Sequence, residues 1–175
     1  MLLEIAPRIA GAMGYYRNLG INFPLLSVFD RMDIEVALLR NNYHLEMDRA
    51  LTNRFKSDIV YQHVYIDLDD TIIASNMVNP WVVAYLYQCL NKKIKIHLIT
   101  RTTDKINNIL KEYRLSPIFD SIIKLCDGEK KSDYIKERSS IFIDDSFRER
   151  NTVATNLGIP TFDTSSIESL LDWTG

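Results

Sequence analysis

Four short stretches of this sequence hold residue types suited to chemistry rather than to packing. They are Asp67-Leu68-Asp69-Asp70-Thr71, Thr100, the pair Lys130-Lys131, and the pair Asp144-Asp145. Three of them follow apolar runs: Val64-Tyr65-Ile66 precedes the first, Ile96-His97-Leu98-Ile99 the second, and Ile141-Phe142-Ile143 the last. Brought together, Asp67, Asp69, Asp144 and Asp145 contribute four negative charges against one from a lysine. Two like charges about 4 Å apart repel by roughly 4 kcal/mol at an effective dielectric near 20. Such a cluster must take up protons or a cation. Hard carboxylate oxygens without His or Cys beside them select Mg²⁺ over zinc. A divalent metal next to a carboxylate, a lysine and a hydroxyl is the apparatus of phosphoryl transfer. In that chemistry Asp67 attacks phosphorus in line and becomes an aspartyl-phosphate. Asp69 protonates the leaving oxygen and then activates the hydrolytic water. Thr100 and the backbone amides beside it hydrogen-bond the phosphoryl oxygens.

The elements that must position these groups begin near residue 62, where apolar blocks start to alternate between strand and helix periods. The pattern predicts strands over His63–Leu68, Lys95–Ile99, Ser121–Leu125 and Ser140–Ile143, with a short one at Thr161-Phe162. Asn79-Pro80 caps a helix running to about Leu90, with Val82, Val83, Leu86 and Leu90 on one face. Thr102 or Thr103 caps a second helix carrying Ile106, Ile109, Leu110 and Tyr113. Further helices are expected over Lys131–Glu137, from Asp145 to about Leu157, ended by Gly158, and over Ser166–Trp173. Strands alternating with helices of this length form a parallel sheet through right-handed crossovers. Chemistry then sits at the carboxyl ends of the strands, where this chain places its acids.

The four stretches, in this order, resemble the motifs of the haloacid dehalogenase (HAD) superfamily of phosphatases and phosphotransferases. Those motifs are an apolar strand ending in D-x-D-x-[TV], a strand ending in Thr or Ser, a Lys, and a strand ending in an acidic pair. Here they stand as Ile66-Asp67-Leu68-Asp69-Asp70-Thr71, Ile99-Thr100, Lys131 and Ile143-Asp144-Asp145, within residues 63–175. The resemblance implies a three-layer, Rossmann-like α/β fold and a Mg²⁺-dependent site. It implies that Asp67 is the nucleophile and a metal ligand through its carboxylate. Asp69 is then the acid/base, binding the metal through its backbone carbonyl. Asp145 is the direct third ligand, with Asp144 supporting it. Lys131 is the preferred lysine because Tyr134 and Ile135 follow it as a buried face would; Lys130 is the alternative. Response-regulator receivers gather similar residues, but in the order acids, acid, hydroxyl, lysine. This chain runs acids, hydroxyl, lysine, acids, and is not a receiver.

Between Thr71 and Thr100 stand 28 residues, and between Thr100 and Lys131 another 30. Each gap holds a helix and a strand, not a cap domain. This resembles capless members, whose open sites act on macromolecules or borrow a cover from elsewhere. Residues 1–60 form a separate N-terminal segment, with a helix around Asn22–Met32 and extended chain around Val36–Tyr43, and they are a candidate cover. Leu3-Glu4-Ile5-Ala6-Pro7-Arg8, with Gly11 beyond, also resembles the E-[IV]-N-P-R stretch near the catalytic end of ATP-grasp ligases. Ala6 replaces the metal-binding Asn, so ATP binding by this chain alone is not expected.

Composition excludes other classes. The 175 residues are 46% hydrophobic and 25% charged, with a net charge of −2, which makes no electrostatic case for nucleic acid. The longest apolar run, Pro80–Tyr87, is too short for a bilayer, and Met1-Leu2-Leu3-Glu4 lacks a basic signal region. Cys89 and Cys126 are isolated, which fits a reducing cytoplasm. Outside the motifs, His97 is expected to be packed or hydrogen-bonded. Arg148, Glu149 and Arg150 read as an exposed first helical turn, with Glu149 a possible support for Asp145. The expected function is therefore phosphomonoester hydrolysis. The alternatives are an accessory domain in an ATP-grasp system and phosphotransfer to a non-water acceptor. A homo-oligomer or an ATP-grasp partner would cover the open site.

Overall fold

A computed structural model describes residues 9–49, 53–101 and 105–172. In chain order the regular elements are α1 (Gly14–Asn18), α2 (Phe23–Arg31), β1 (Leu45–Arg49), β2 (Asn53–Ser57), β3 (His63–Ile66), β4 (Ile73–Ala74), β5 (Met77–Val78), α3 (Pro80–Asn91) and β6 (Lys95–Thr100). They continue with α4 (Ile106–Glu112), β7 (Ser121–Lys124), β8 (Ser140–Ile143), α5 (Phe147–Leu157) and β9 (Thr161–Phe162). Five strands form one sheet in the order β7-β6-β3-β8-β9, every neighbouring pair parallel. β3 lies at its centre, with Ile66 beside both Leu98 and Ile143.

The period of two along each strand divides the core into two layers. Val64, Ile66, Leu98, Ile141 and Ile143 pack against Val82, Tyr85, Leu86 and Cys89 of α3 and against Ile106 and Leu110 of α4. Tyr65, Ile99 and Phe142 face the other way, onto Val153 of α5 and onto Leu125 and Ile135. The fold is thus a three-layer, Rossmann-like α/β sandwich.

Local chemistry sets the helix ends. Asn79 Oδ1 accepts hydrogen bonds from the Trp81 and Val82 amides, with Pro80 at the first helical position. The buried stripe of α3 is Val82, Tyr85, Leu86 and Cys89; Leu90, placed on that face by the sequence pattern, is 38% exposed. Ser146 caps α5, and Gly158 closes it in the left-handed region at φ 67°.

Several elements differ from the sequence expectation. Lys131–Glu137 is no helix but a single 3-10 turn, Lys131–Asp133. The closing helix is a 3-10 segment, Thr164–Ser169. α4 begins at Ile106, its preceding residue Lys105 making no side-chain cap; Thr102 and Thr103 lie outside the described residues. Residues 34–42 of the N-terminal segment are irregular, and the strands there are instead the antiparallel pair β1–β2. The expected helix around Asn22–Met32 is present as α2, capped by Asn22. Glu4, Ala6 and Arg8 of the ATP-grasp-like stretch lie outside the described residues.

The N-terminal residues pack on the sheet's β9 edge. Asn41, buried, donates from its amide to the Thr161 carbonyl at 2.5 Å and accepts from the Thr161 N–H at 3.0 Å. Arg17 pairs with Glu168, and Tyr43 stacks at a tilt on Phe162. Among the described residues no helix is long and apolar enough to cross a membrane.

Candidate active site

The chain leaves β3 at Ile66 and turns at once. Asp70 adopts a positive φ of 54°, a conformation that Asp tolerates better than most residues. Its amide donates to the Ile73 carbonyl, and Ile73 opens the small β4–β5 hairpin before α3. That turn separates the two carboxylates of the first motif. Asp67 is buried and Asp69 is exposed.

Parallel pairing brings Asp67 beside the end of β8. The Asp67 N–H donates to the Ile143 carbonyl at 2.9 Å, and the next residue, Asp144, donates its own N–H to Phe162. Asp67, Asp144 and Asp145 each place a carboxylate oxygen within 4.8 Å of the others. Asp69 contributes no side chain to that group. Its backbone carbonyl, not its carboxylate, is what the resemblance assigns to a metal.

Lys131 reaches this cluster from the loop after β7. Its ammonium donates to Asp67 Oδ1 at 2.5 Å and to Asp144 Oδ2 at 2.6 Å, with 4% of the side chain exposed. Lys130, beside it, is exposed, and no ion pair involves it among the described residues. The loop is tied at several points. Glu129 accepts from the Cys126 amide and from the Tyr134 hydroxyl, and Asn156 of α5 donates to the Ser132 hydroxyl at 3.1 Å. A rigid loop is what a buried ammonium needs to meet two carboxylates at once.

Electrostatics at the site follow from burial. Desolvation pushes the Asp67 carboxyl up to about 7; Lys131 opposes that rise and Asp144 adds to it. Burial likewise raises Asp144, again against the pull of Lys131. Burial alone would lower the Lys131 ammonium, yet the two carboxylates outweigh it and hold it above its ordinary value. Three carboxylates, two of them buried, against one ammonium leave two formal negative charges. Hard oxygen donors with a residual charge of that sign fit a divalent cation such as Mg²⁺.

Asp145, the exposed member, is held in place by Thr71. The Thr71 hydroxyl accepts from the Asp145 N–H and donates to Asp145 Oδ1. Asp144 is set by its own turn, Oδ1 accepting from the Ser146 amide at 2.8 Å. Thr100 is the last residue of β6 and fully buried, so it ends at the same edge of the sheet as Asp67 and Asp144.

Two arginines in this region escaped the sequence reading. Arg150 is not part of an exposed turn. It is 9% exposed, and its guanidinium donates to the Asp144 and Asp145 carbonyls, both at 2.6 Å, while pairing with Asp163. The helical spacing Arg150, Val153, Leu157 puts it on the inward face of α5, which is the signal that would have found it. Arg101 donates to the Glu129 carbonyl and pairs with Glu149 at 3.2 Å, joining the end of β6 to the lysine loop and to α5. Glu149 therefore serves Arg101 rather than Asp145.

No protein-family model matches the chain, and no curated protein does. Solved structures share its arrangement in part. A hydrolase from Streptococcus pneumoniae TIGR4 is 12% identical, over 59% of this chain and 92% of its own, with a TM-score of 0.49. A HAD-superfamily hydrolase of subfamily IA from Geobacter sulfurreducens is 10% identical, over 58% of this chain and 88% of its own, with a TM-score of 0.47. The N-terminal part of a Bacteroides fragilis protein, containing a phosphatase domain and complexed with Mg, is 16% identical. That match covers 65% of this chain and 39% of the other, with a TM-score of 0.49. The likeness is one of fold: a five-stranded parallel sheet with helices on both faces.

Proposed function

We propose that this chain is a Mg²⁺-dependent phosphohydrolase that cleaves phosphomonoesters through an aspartyl-phosphate on Asp67. The observation that carries the reading is the buried Lys131 ammonium bridging Asp67 and Asp144, with Asp145 completing the carboxylate group. Residues 63–175 are the catalytic unit, without a cap, and residues 1–60 are an N-terminal addition to it. The metal would be held by the Asp67 carboxylate, the Asp69 backbone carbonyl and Asp145, with Asp144 in support. When bound, Mg²⁺ neutralises the phosphoryl oxygens and so lets an anionic nucleophile approach them.

The chain's own groups then carry the reaction. Asp67 attacks phosphorus as its bond to the ester oxygen breaks, and Asp69 gives that oxygen a proton. Asp69, now ionised, takes a proton from water as the water attacks the aspartyl-phosphate. Phosphate leaves, and both carboxyl groups return to their starting states. Lys131 fixes the orientation of Asp67 and offsets the charge gathered around it. Thr100 hydrogen-bonds the phosphoryl group. A cytoplasmic setting suits this reading, as does a homo-oligomeric or ATP-grasp partner that shields the open site.

The test is hydrolysis of p-nitrophenyl phosphate with Mg²⁺ and with a chelator, for wild type and for Asp67→Asn. Turnover undiminished in the variant removes Asp67 as nucleophile, and turnover indifferent to chelation removes the metal. A non-catalytic accessory domain would show neither turnover nor Mg²⁺ binding. Phosphotransfer to another acceptor would release one equivalent of p-nitrophenol per enzyme and turn over further only when an alcohol is supplied.

A further inference from the structure

Beside the carboxylate cluster lies a cavity of about 460 Å³, a size suited to a small organic molecule. Asp145, which also belongs to the three-carboxylate group, lines it. Most of its wall comes from the N-terminal residues: Leu25, Leu26 and Phe29 of α2, and the chain from Glu35 to Leu39. Phe147, at the start of α5, lines it as well. Leu25, Val36, Leu38 and Phe147 are 46%, 39%, 63% and 41% exposed, so several apolar surfaces stay in water around one hollow instead of joining the core.

The charges around the hollow are equally selective. Glu35, Asp145 and Asp163 are its acids, and Arg150 is the single cation among the residues that line it. That guanidinium is already engaged by the Asp144 and Asp145 carbonyls and by Asp163. An anionic group would meet repulsion with no free cation to offset it, whereas a neutral apolar group would cover wall that is now wet. The wall is also preformed, because Asn41 ties the N-terminal chain to β9 through Thr161.

We infer that this cavity is the leaving-group subsite, taking the neutral, apolar alcohol portion of a phosphomonoester whose phosphoryl group sits at Asp67. The inference rests on the phosphohydrolase reading and adds the substrate class to it. It makes the N-terminal residues a specificity wall beside the motif-four loop.

The experiment compares 1-naphthyl phosphate with acetyl phosphate and 3-phosphoglycerate, for wild type, Leu38→Glu and Leu25→Gln. Alongside, 1-naphthol alone is titrated into the protein while the Leu25, Leu26 and Leu38 methyl resonances are followed by NMR. The expected result is preference for the naphthyl ester over the anionic glycerate ester in the wild type. In the variants, kcat/KM for the naphthyl ester should fall about 10-fold or more relative to acetyl phosphate, and naphthol should shift the three leucine methyls. If naphthol shifts those methyls while no ester is cleaved, the phosphohydrolase reading fails and the preference of the cavity for a neutral apolar ligand stands. If naphthol leaves the methyls unmoved, or the variants slow all three substrates equally, the assignment of the cavity is overturned.

Discussion

Thr71 holds Asp145 from two directions: its hydroxyl accepts from the Asp145 N–H at 3.0 Å and donates to Asp145 Oδ1 at 3.2 Å. One fully buried side chain at the end of the first motif thereby orients an exposed carboxylate 74 residues away. Arg150 holds the backbone of the same turn through the Asp144 and Asp145 carbonyls, so Thr71 acts on the Asp145 side chain. Groups that orient a metal ligand typically matter about 10-fold to 100-fold in affinity.

Thr71→Val keeps the shape and removes both bonds. Mg²⁺ affinity should fall by about 10-fold to 100-fold, read by calorimetric titration, while Thr71→Ser should restore most of it. Equal affinity in all three proteins would mean that Asp145 is not a ligand.

Lys131→Met leaves Asp67 and Asp144 facing each other, buried and unpaired. Breaking a buried pair from one side costs about 3–5 kcal/mol. The loss should deepen as pH rises, because protonated carboxyls tolerate burial and ionised ones do not. Urea unfolding of the metal-free protein at several pH values measures both effects. Lys130→Met, on the exposed neighbour, should stay within about 0.5 kcal/mol of wild type.

His97 predicts an acid weakness at the opposite end of the sheet. Its ring stacks on Tyr65, and its two nitrogens contact His63 Nδ1 at 2.9 Å and Ser121 Oγ at 2.7 Å. Burial, then His63 and Lys95, lower its affinity for a proton below the ordinary 6.5, against the pull of Asp120 and Glu137. The unfolded chain then binds more protons on acidification, so stability falls as pH drops through that ordinary value. His97→Gln should flatten the dependence of the urea midpoint over roughly pH 7.5 to 5.5. An unchanged slope would assign the acid sensitivity to other groups.

Gly20 should tolerate no side chain. Its φ is +96°, and a Cβ built there would stand 2.5 Å from the Leu39 carbonyl oxygen. Because the obstacle is backbone, Gly20→Ala must displace the chain from Glu35 to Leu39. A cost above about 1 kcal/mol is expected, measured by denaturation, together with weaker discrimination among ester leaving groups.

The central sheet was legible because its signals are local: apolar runs ending in acids, an Asn-Pro start for α3, a glycine closing α5. That Asp67, Asp144, Asp145 and Lys131 come together was legible for the same reason, since parallel strands of like length must deliver their next residues to one edge. What escaped has other causes. Arg150 sits in a polar first turn, where its charge masks the inward-face spacing it shares with Val153, and there it reaches two carbonyls close in sequence. The lysine loop has helix-like spacing, but Glu129 and Arg101 hold it as a single tight turn instead. The β1–β2 hairpin, with alternating charges on Glu46, Asp48, Arg54 and Lys56, presents too little apolar periodicity to announce itself.

The amide of Asn41 has a consequence for how the molecule keeps to itself. β9 is two residues long and ends the sheet, so its outer N–H and C=O groups are a template for another chain's strand. One asparagine occupies that template from both sides, donor to acceptor and acceptor to donor. Trimming the chain back to residue 63 would therefore do more than remove a wall of the cavity. It would strip the guard from the last strand and leave a sheet that can grow by recruiting its neighbours.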